Sequence, residues 1–164
     1  MPAPLVSVYY LWKFGCKISP RAEVEVTPNL SIGRGAQISS FVKIKASYGR
    51  LEIGERVAVA TGVFMAAHEG GVEIGDDTMV GPNSVIVGVN YRYDKLDVPV
   101  QHQGTTSKGI RIGKDVWIGA NVVVMDGAVI GDHTIVSPGS VVSGRLPETV
   151  VASGSPAKIM FRRR

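Results

Sequence analysis

The stretch Ile112-Gly-Lys-Asp-Val-Trp-Ile118-Gly-Ala-Asn-Val-Val-Val124-Met-Asp-Gly-Ala-Val-Ile130-Gly-Asp-His-Thr-Ile-Val136-Ser-Pro-Gly-Ser-Val-Val142 carries an aliphatic residue at every sixth position. The same slot recurs upstream at Ile32, Ile38, Ile44, Ile53, Val59, Met65, Ile74, Val80 and Ile86, so all fifteen slots are Ile, Val or Met. Glycine follows the aliphatic in seven of the fifteen, at Gly33, Gly54, Gly75, Gly81, Gly113, Gly119 and Gly131. Four residues after each aliphatic the chain mostly places a small or β-branched residue, as at Ala36, Val57, Thr78, Ser84 and Val116.

Neither a helix nor a flat amphipathic strand repeats every six residues, since their periods are about 3.6 and 2. A coil of short strands joined by tight corners does. Each hexapeptide then forms one side, with its aliphatic facing the axis and glycine or a small residue letting the backbone turn. The spacings fix three sides per coil. Most gaps between slots are six, but those from Ile44 to Ile53 and from Met65 to Ile74 are nine, and that from Ile86 to Ile112 is twenty-six. These insertions fall after every third hexapeptide, on one corner, and the small-residue rule fails there at Tyr48, Glu69 and Asn90. In repeat proteins, insertions gathered on one face often mark the binding face.

Composition agrees with an all-β chain: 25 Val and 13 Ile stand against 6 Leu, and β-branched side chains favour strands. The 164 residues are the size of one domain, and 45% apolar with 20% charged content excludes a disordered tail. Cys16 is alone, so no intrachain disulfide forms. The apolar run Leu5 to Trp12 lacks a basic n-region and a cleavage site and is far shorter than the roughly 20 residues of a bilayer span. A cytoplasmic protein is the expectation, with a membrane-peripheral location as the alternative. Residues 1–22 are expected to cap a domain spanning 23–164, from which the loop 87–109 is extruded.

These features resemble the hexapeptide-repeat acyltransferases, above all in Ile112-Gly-Lys-Asp-Val-Trp-Ile-Gly-Ala-Asn121, Gly139-Ser-Val-Val142, Pro147 and Ser153-Gly-Ser-Pro-Ala-Lys158. These segments are similar to the sugar and polysaccharide O-acetyltransferase branch. The resemblance implies a left-handed parallel β-helix, here of about five triangular coils, assembled as a homotrimer with acetyl-coenzyme A between neighbouring prisms. It implies a sugar or polysaccharide-precursor acceptor, no nucleic acid and no metal. The chemistry needs a base to take the proton of the attacking hydroxyl, and imidazole titrates near neutrality. It also needs N–H donors for the thioester oxyanion and cations for the phosphates of coenzyme A.

Three histidines are available. The family's sugar acetyltransferases place their catalytic histidine early in the long loop, and Tyr91 stands there in this chain. A phenol, titrating near pH 10 in water, is a poor base near neutrality. His68 is the replacement candidate for two reasons. Its register puts it on the insertion corner one coil earlier, and His68-Glu-Gly-Gly-Val-Glu-Ile-Gly75 resembles the stretch carrying the base in serine acetyltransferases. Glu69 is placed to orient it. His102, in the loop, is the second choice, and His133 reads as a surface residue.

By the same resemblance, Asn83, Tyr91 and Asp94 contact the acceptor, while Trp117, Gly119, Ala120, Ser137, Ser143 and Lys158 contact the cofactor. Three other readings compete. An amino-sugar N-acetyltransferase needs a similar site. A catalytically degenerate scaffold would explain Tyr91. A zinc hydratase on the same fold is disfavoured, because no His-x4-His pair exists and the histidines are too scattered to supply about three ligands. The segment Val6 to Lys17, with Tyr9, Tyr10, Trp12 and Phe14, is expected to cap the first coil, a membrane contact being its alternative role.

Overall fold

The six-residue slots become the lining of a three-sided coil in a computed structural model, which describes residues 3–164. Face one stacks Lys17–Ile18, Gln37–Ile38, Ala58–Val59, Met79–Val80, Trp117–Ile118, Ile135–Val136 and Val150–Ser153 as parallel strands. Face two stacks Glu23–Val24, Lys43–Lys45, Phe64–Ala66, Val85–Val87, Val123–Met125 and Val141–Val142. Face three stacks Leu30–Ile32, Leu51–Ile53, Val72–Ile74, Ile110–Ile112, Val129–Ile130 and Arg145–Leu146. The chain is thus a parallel β-helix. Its faces hold seven, six and six parallel rungs, against the expectation of about five coils. The first rung begins at Lys17, inside the segment set apart as a cap, because Ile18 and Val24 already occupy inward slots.

The core is one column of stacked aliphatics. Ile44, Met65, Ile86 and Val124 succeed one another in register on face two, each fully buried. The small residues four places on fill the corners, where Ala36, Val42, Val57, Val63, Val122 and Ala128 are also fully buried. Where a hydroxyl occupies such a corner it is bonded: Thr78 Oγ1 donates to the Gly113 carbonyl at 2.9 Å, and Ser84 Oγ to that of Gly119 at 2.9 Å. Buried polar groups need such partners, and these hydroxyls tie adjacent coils together.

The glycines that follow the aliphatics are required for a different reason from the expected one. A Cβ on Gly33 would lie 2.5 Å from the carbonyl carbon of Gly54, and one on Gly75 would lie 2.6 Å from that of Gly113. Close approach of stacked coils, not the turn itself, excludes a side chain there. The turning is done by residues further on. Arg56, Asp77, Asp115 and His133 on one regular corner, and Phe41, Asn83 and Asn121 on the other, have φ between 50° and 63°.

The amino-terminal segment folds as helix α1 (Ala3–Phe14), an element absent from the sequence expectation. Val6 and Tyr10, one turn apart, are buried against the first coil, and Gly15 ends the helix with φ 65°, its N–H bonding the Leu11 carbonyl at 3.0 Å. Burial, then the neighbouring Tyr9 and Cys16, push the Tyr10 phenol up to about 12. At the far end, Lys158–Arg162 folds back antiparallel on Val150–Ser153. Among the described residues no helix is long and apolar enough to cross a membrane.

The irregular corner is stitched by Glu25, whose carboxylate accepts from Ala46 N (2.8 Å), Ser47 N (2.9 Å) and Ser47 Oγ (2.7 Å). Burial pushes this carboxyl up, but those hydrogen bonds outweigh it and hold the carboxyl below its ordinary value. A depressed native pKa gives stability that is complete above the unfolded-state pKa and is lost as pH falls through the native one. The expected outcome is that the stability gap between wild type and Glu25→Gln, measured by urea unfolding, shrinks from about pH 6 to about pH 3.

Candidate functional site

The corner between faces two and three takes every insertion, and His68 lies on it between Phe64–Ala66 and Val72–Ile74. The His68 carbonyl accepts the Gly71 N–H at 2.8 Å, which closes the turn. One coil below, Tyr48 stacks on the imidazole with ring centroids 5.2 Å apart and planes 18° apart. Gly49 makes this possible: a Cβ there would run into the His68 carbonyl and sit 2.7 Å from its Cα. The ring is therefore fixed from beneath by an aromatic face and by backbone contact.

Its two nitrogens have different surroundings. The side chain as a whole is 23% exposed, yet Nδ1 is buried and makes no hydrogen bond. The Glu69 Oε2 atom stands 3.6 Å from it, just outside bonding range. An unpaired buried nitrogen costs free energy, and a small rotation of the exposed Glu69 would relieve it. In that arrangement Nδ1–H donates to the carboxylate, and the Nε2 lone pair is free to accept a proton.

The loop 87–109 leaves and rejoins the prism directly above this corner. Ser107 Oγ donates to the Gly88 carbonyl at 2.6 Å and accepts the Gly70 N–H at 2.9 Å. Asp126, itself buried, accepts from Lys108 N at 2.8 and 3.0 Å, from Gly109 N at 2.9 Å and from Asn90 Nδ2 at 3.4 Å. Beyond these roots, Asn90–Tyr91 pairs antiparallel with Thr105–Thr106, and the Gln103 side chain bonds the backbone of Lys95 and Val98. Tyr91, Tyr93, Asp94, Leu96 and His102 are all exposed on it. Beside the roots a groove of about 300 Å³ is lined by Gly70, Glu73, Lys108, Arg111 and Gly127.

The sequence reading marked Tyr48 only as an exception to the small-residue rule and gave Ser107 and Asp126 no part. Their signal was their place on the insertion corner, which the reading used only for histidine. Asp126→Ala leaves the Lys108 and Gly109 N–H groups without an acceptor, and each such orphan costs about 1–3 kcal/mol. The variant is expected to lose about 2–4 kcal/mol in urea unfolding, with Asp126→Asn, which keeps one acceptor oxygen, losing less.

The residues expected to hold acceptor and cofactor divide between two sides of the prism. Trp117 is half exposed on face one, in register between Met79 and Ile135, and it ends a groove of about 320 Å³ that also includes Gln37, Ala58, Met79 and Gly81. Lys158 is on the returning strand of the same face. Gly119, Ala120, Ser137 and Asn83 are at the corner between faces one and two. The Gly119 N–H is already engaged with the Val136 carbonyl at 2.8 Å, and Asn83 serves as a left-handed turn residue with φ 57°. Of the cofactor candidates, Ser143 alone shares the corner of His68, three coils further along, while the acceptor candidates Tyr91 and Asp94 are on the loop rooted at that corner. In a triangular section face one is opposite that corner, so His68 and Trp117 of one chain point away from each other. Among the described residues no group of three or more His, Cys, Asp or Glu side chains could hold a metal.

The sequence matches two family models: "Bacterial transferase hexapeptide (six repeats)" over residues 109–144 and "Hexapeptide repeat of succinyl-transferase" over residues 71–90. Against the putative lipopolysaccharide biosynthesis O-acetyl transferase WbbJ of Escherichia coli, identity is 34% over 95% of this chain and 82% of that protein. The chain belongs to the hexapeptide-repeat transferase family. This hexapeptide-repeat transferase spans about half the length of several other curated relatives, 48%, 43% and 44% of three of them. Among solved structures, AntD, an N-acyltransferase from Bacillus cereus in complex with dTDP-4-amino-4,6-dideoxyglucose and coenzyme A, superposes with TM-score 0.83. It is 20% identical, over 96% of the transferase and 88% of AntD. PerB from Caulobacter crescentus, in complex with CoA and GDP-perosamine, superposes with TM-score 0.69 at 29% identity, over 89% of this chain and 57% of PerB.

Proposed function

We propose that this hexapeptide-repeat transferase moves an acetyl group from acetyl-CoA to a hydroxyl of a sugar or polysaccharide precursor, with His68 as the general base. The observation that carries the reading is the His68 ring, held by Tyr48 and by backbone on the corner where the loop is rooted, with its buried Nδ1 facing Glu69. In the reaction, His68 Nε2 takes the proton as the acceptor oxygen attacks the thioester carbonyl. The tetrahedral intermediate collapses with loss of the coenzyme A thiolate, and the imidazolium returns the proton to sulfur. O-acetyl acceptor and free thiol are the products.

Because His68 and Trp117 point away from each other within one chain, the complete site is formed between subunits. His68 of one prism faces the Trp117 groove of the next, as in a left-handed homotrimer with the pantetheine arm between prisms. Trp117→Ala is expected to weaken coenzyme A binding about tenfold in calorimetry, since a half-exposed indole offers a large contact face to the arm.

A second reading, N-acylation of an amino sugar, is favoured by the likeness to AntD and PerB, both solved with coenzyme A and a nucleotide component. Thiol release from acetyl-CoA is to be followed with sugars, nucleotide sugars and their amino counterparts, and the product bond identified by NMR. Ester formation supports the first reading and amide formation the second. Coenzyme A binding without turnover on any acceptor would overturn both in favour of a scaffold.

A further inference from the structure

We infer that helix α1 and the first coil form a docking surface for an anionic lipid bilayer. The helix has two apolar sides. One, with Val6 and Tyr10, closes the prism. The other faces solvent: Leu5 is 53% exposed, Val8 63%, Leu11 53% and Trp12 86%. These residues recur at three- and four-residue intervals and so share a face. Capping the core explains the first side but gives no reason for the second, since apolar residues gathered on one exposed helix face mark an interaction surface.

The surrounding charge says which occupant fits. Residues 3–40 contain four cations, Lys13, Lys17, Arg21 and Arg34, and two anions, Glu23 and Glu25. Both anions are engaged by the next coil, Glu23 with Lys43 at 3.1 Å and Glu25 with Lys45 at 3.3 Å. The four cations are exposed and make no ion pair among the described residues. Lys13 donates to the Tyr9 hydroxyl at 2.7 Å on the helix itself, and Arg34 packs beside Gly15 at the helix end. An exposed apolar helix face with a tryptophan, bordered by unpaired lysine and arginine at one end of the molecule, is complementary to lipid headgroups carrying negative charge above an acyl boundary. A twofold contact with a second copy of this chain would bring the same four cations against themselves, which disfavours that self-association. This inference does not depend on the acetyl-transfer reading.

The test is co-sedimentation of the full chain with vesicles of phosphatidylcholine containing phosphatidylglycerol, beside vesicles of phosphatidylcholine alone. Binding is expected only with the anionic lipid and is released by high salt, which screens the charge component. Leu11→Ser/Trp12→Ser, and separately Lys17→Gln/Arg21→Gln/Arg34→Gln, are each expected to weaken binding about tenfold or more while circular dichroism and unfolding midpoint stay unchanged. Absence of binding to the anionic vesicles, or undiminished binding of either variant, overturns the proposal. A drop in molar mass of the Leu11→Ser/Trp12→Ser variant in light scattering would also overturn it, by assigning the helix face to another copy of the chain.

Discussion

His68→Ala is expected to lower turnover by about two to four orders of magnitude, the usual contribution of a positioned general base, while leaving the affinity for coenzyme A unchanged. The separation of effects follows from the geometry. The Trp117 groove that His68 is proposed to face belongs to the next prism and is lined by Gln37, Ala58, Met79 and Gly81 of face one, not by His68, so removing the imidazole leaves its lining intact. Nothing else on the insertion corner replaces the lost base. Glu69 is largely exposed, and Tyr91 projects into solvent from the loop. His102→Ala is the matched comparison, because His102 is exposed on a short helical turn of the loop and, among the described residues, no hydrogen bond orients its ring. Wild-type turnover in His68→Ala together with loss in His102→Ala would reassign the base to the loop.

Gly49→Ala should destabilise the protein by about 3 kcal/mol, at the upper end of what an overpacking substitution costs, and should abolish turnover in whatever remains folded. The added methyl group meets the His68 backbone, which cannot swing aside as a flexible side chain could. To make room, the corner of His68 must shift away from that of Tyr48, breaking the ring stack that fixes the imidazole. Arg50→Ala, one residue along, removes only an exposed side chain paired to Glu52 and is expected to stay within about 0.5 kcal/mol of wild type. Urea unfolding of the two variants side by side checks the contrast. Equal stability would mean that the corners are less closely stacked than the structure places them.

The repeat made most of the prism legible from sequence because its signal is one-dimensional. An Ile, Val or Met at each sixth position reports directly on which side chain faces the axis, and the nine-residue gaps report which corner bulges. What lies outside that period was read less well. Ile18 and Val24 are six apart, but the step from Val24 to Ile32 is eight, so the first coil went uncounted. The α1 helix left no trace in the period, since it depends on two contacts, Val6 and Tyr10, against a coil end that exists only in the folded molecule. The site was legible to the extent that the spacings marked the corner of His68 as the one where the loop is rooted. The roles of Tyr48, Ser107 and Asp126 depend on hydrogen bonds and stacking between residues 17 to 37 positions apart or between coils, and no local pattern encodes those. Asn83 shows the limit of a local match: the left-handed turn gives the asparagine a backbone reason to be present, beside the acceptor contact that the resemblance implies.

A stack of parallel rungs has no natural last member, and each open end offers bare N–H and C=O groups on which another molecule could continue the sheet. The strand Lys158–Arg162 reverses chain direction against the final rung of face one, and the turn after Gly154 engages both the N–H and the carbonyl of Val141 on face two. A further parallel coil therefore finds no matching template on face one, and Val141 of face two is already engaged. The reversal acts as a polymerisation stop on that face, in a fold whose geometry otherwise invites continuation.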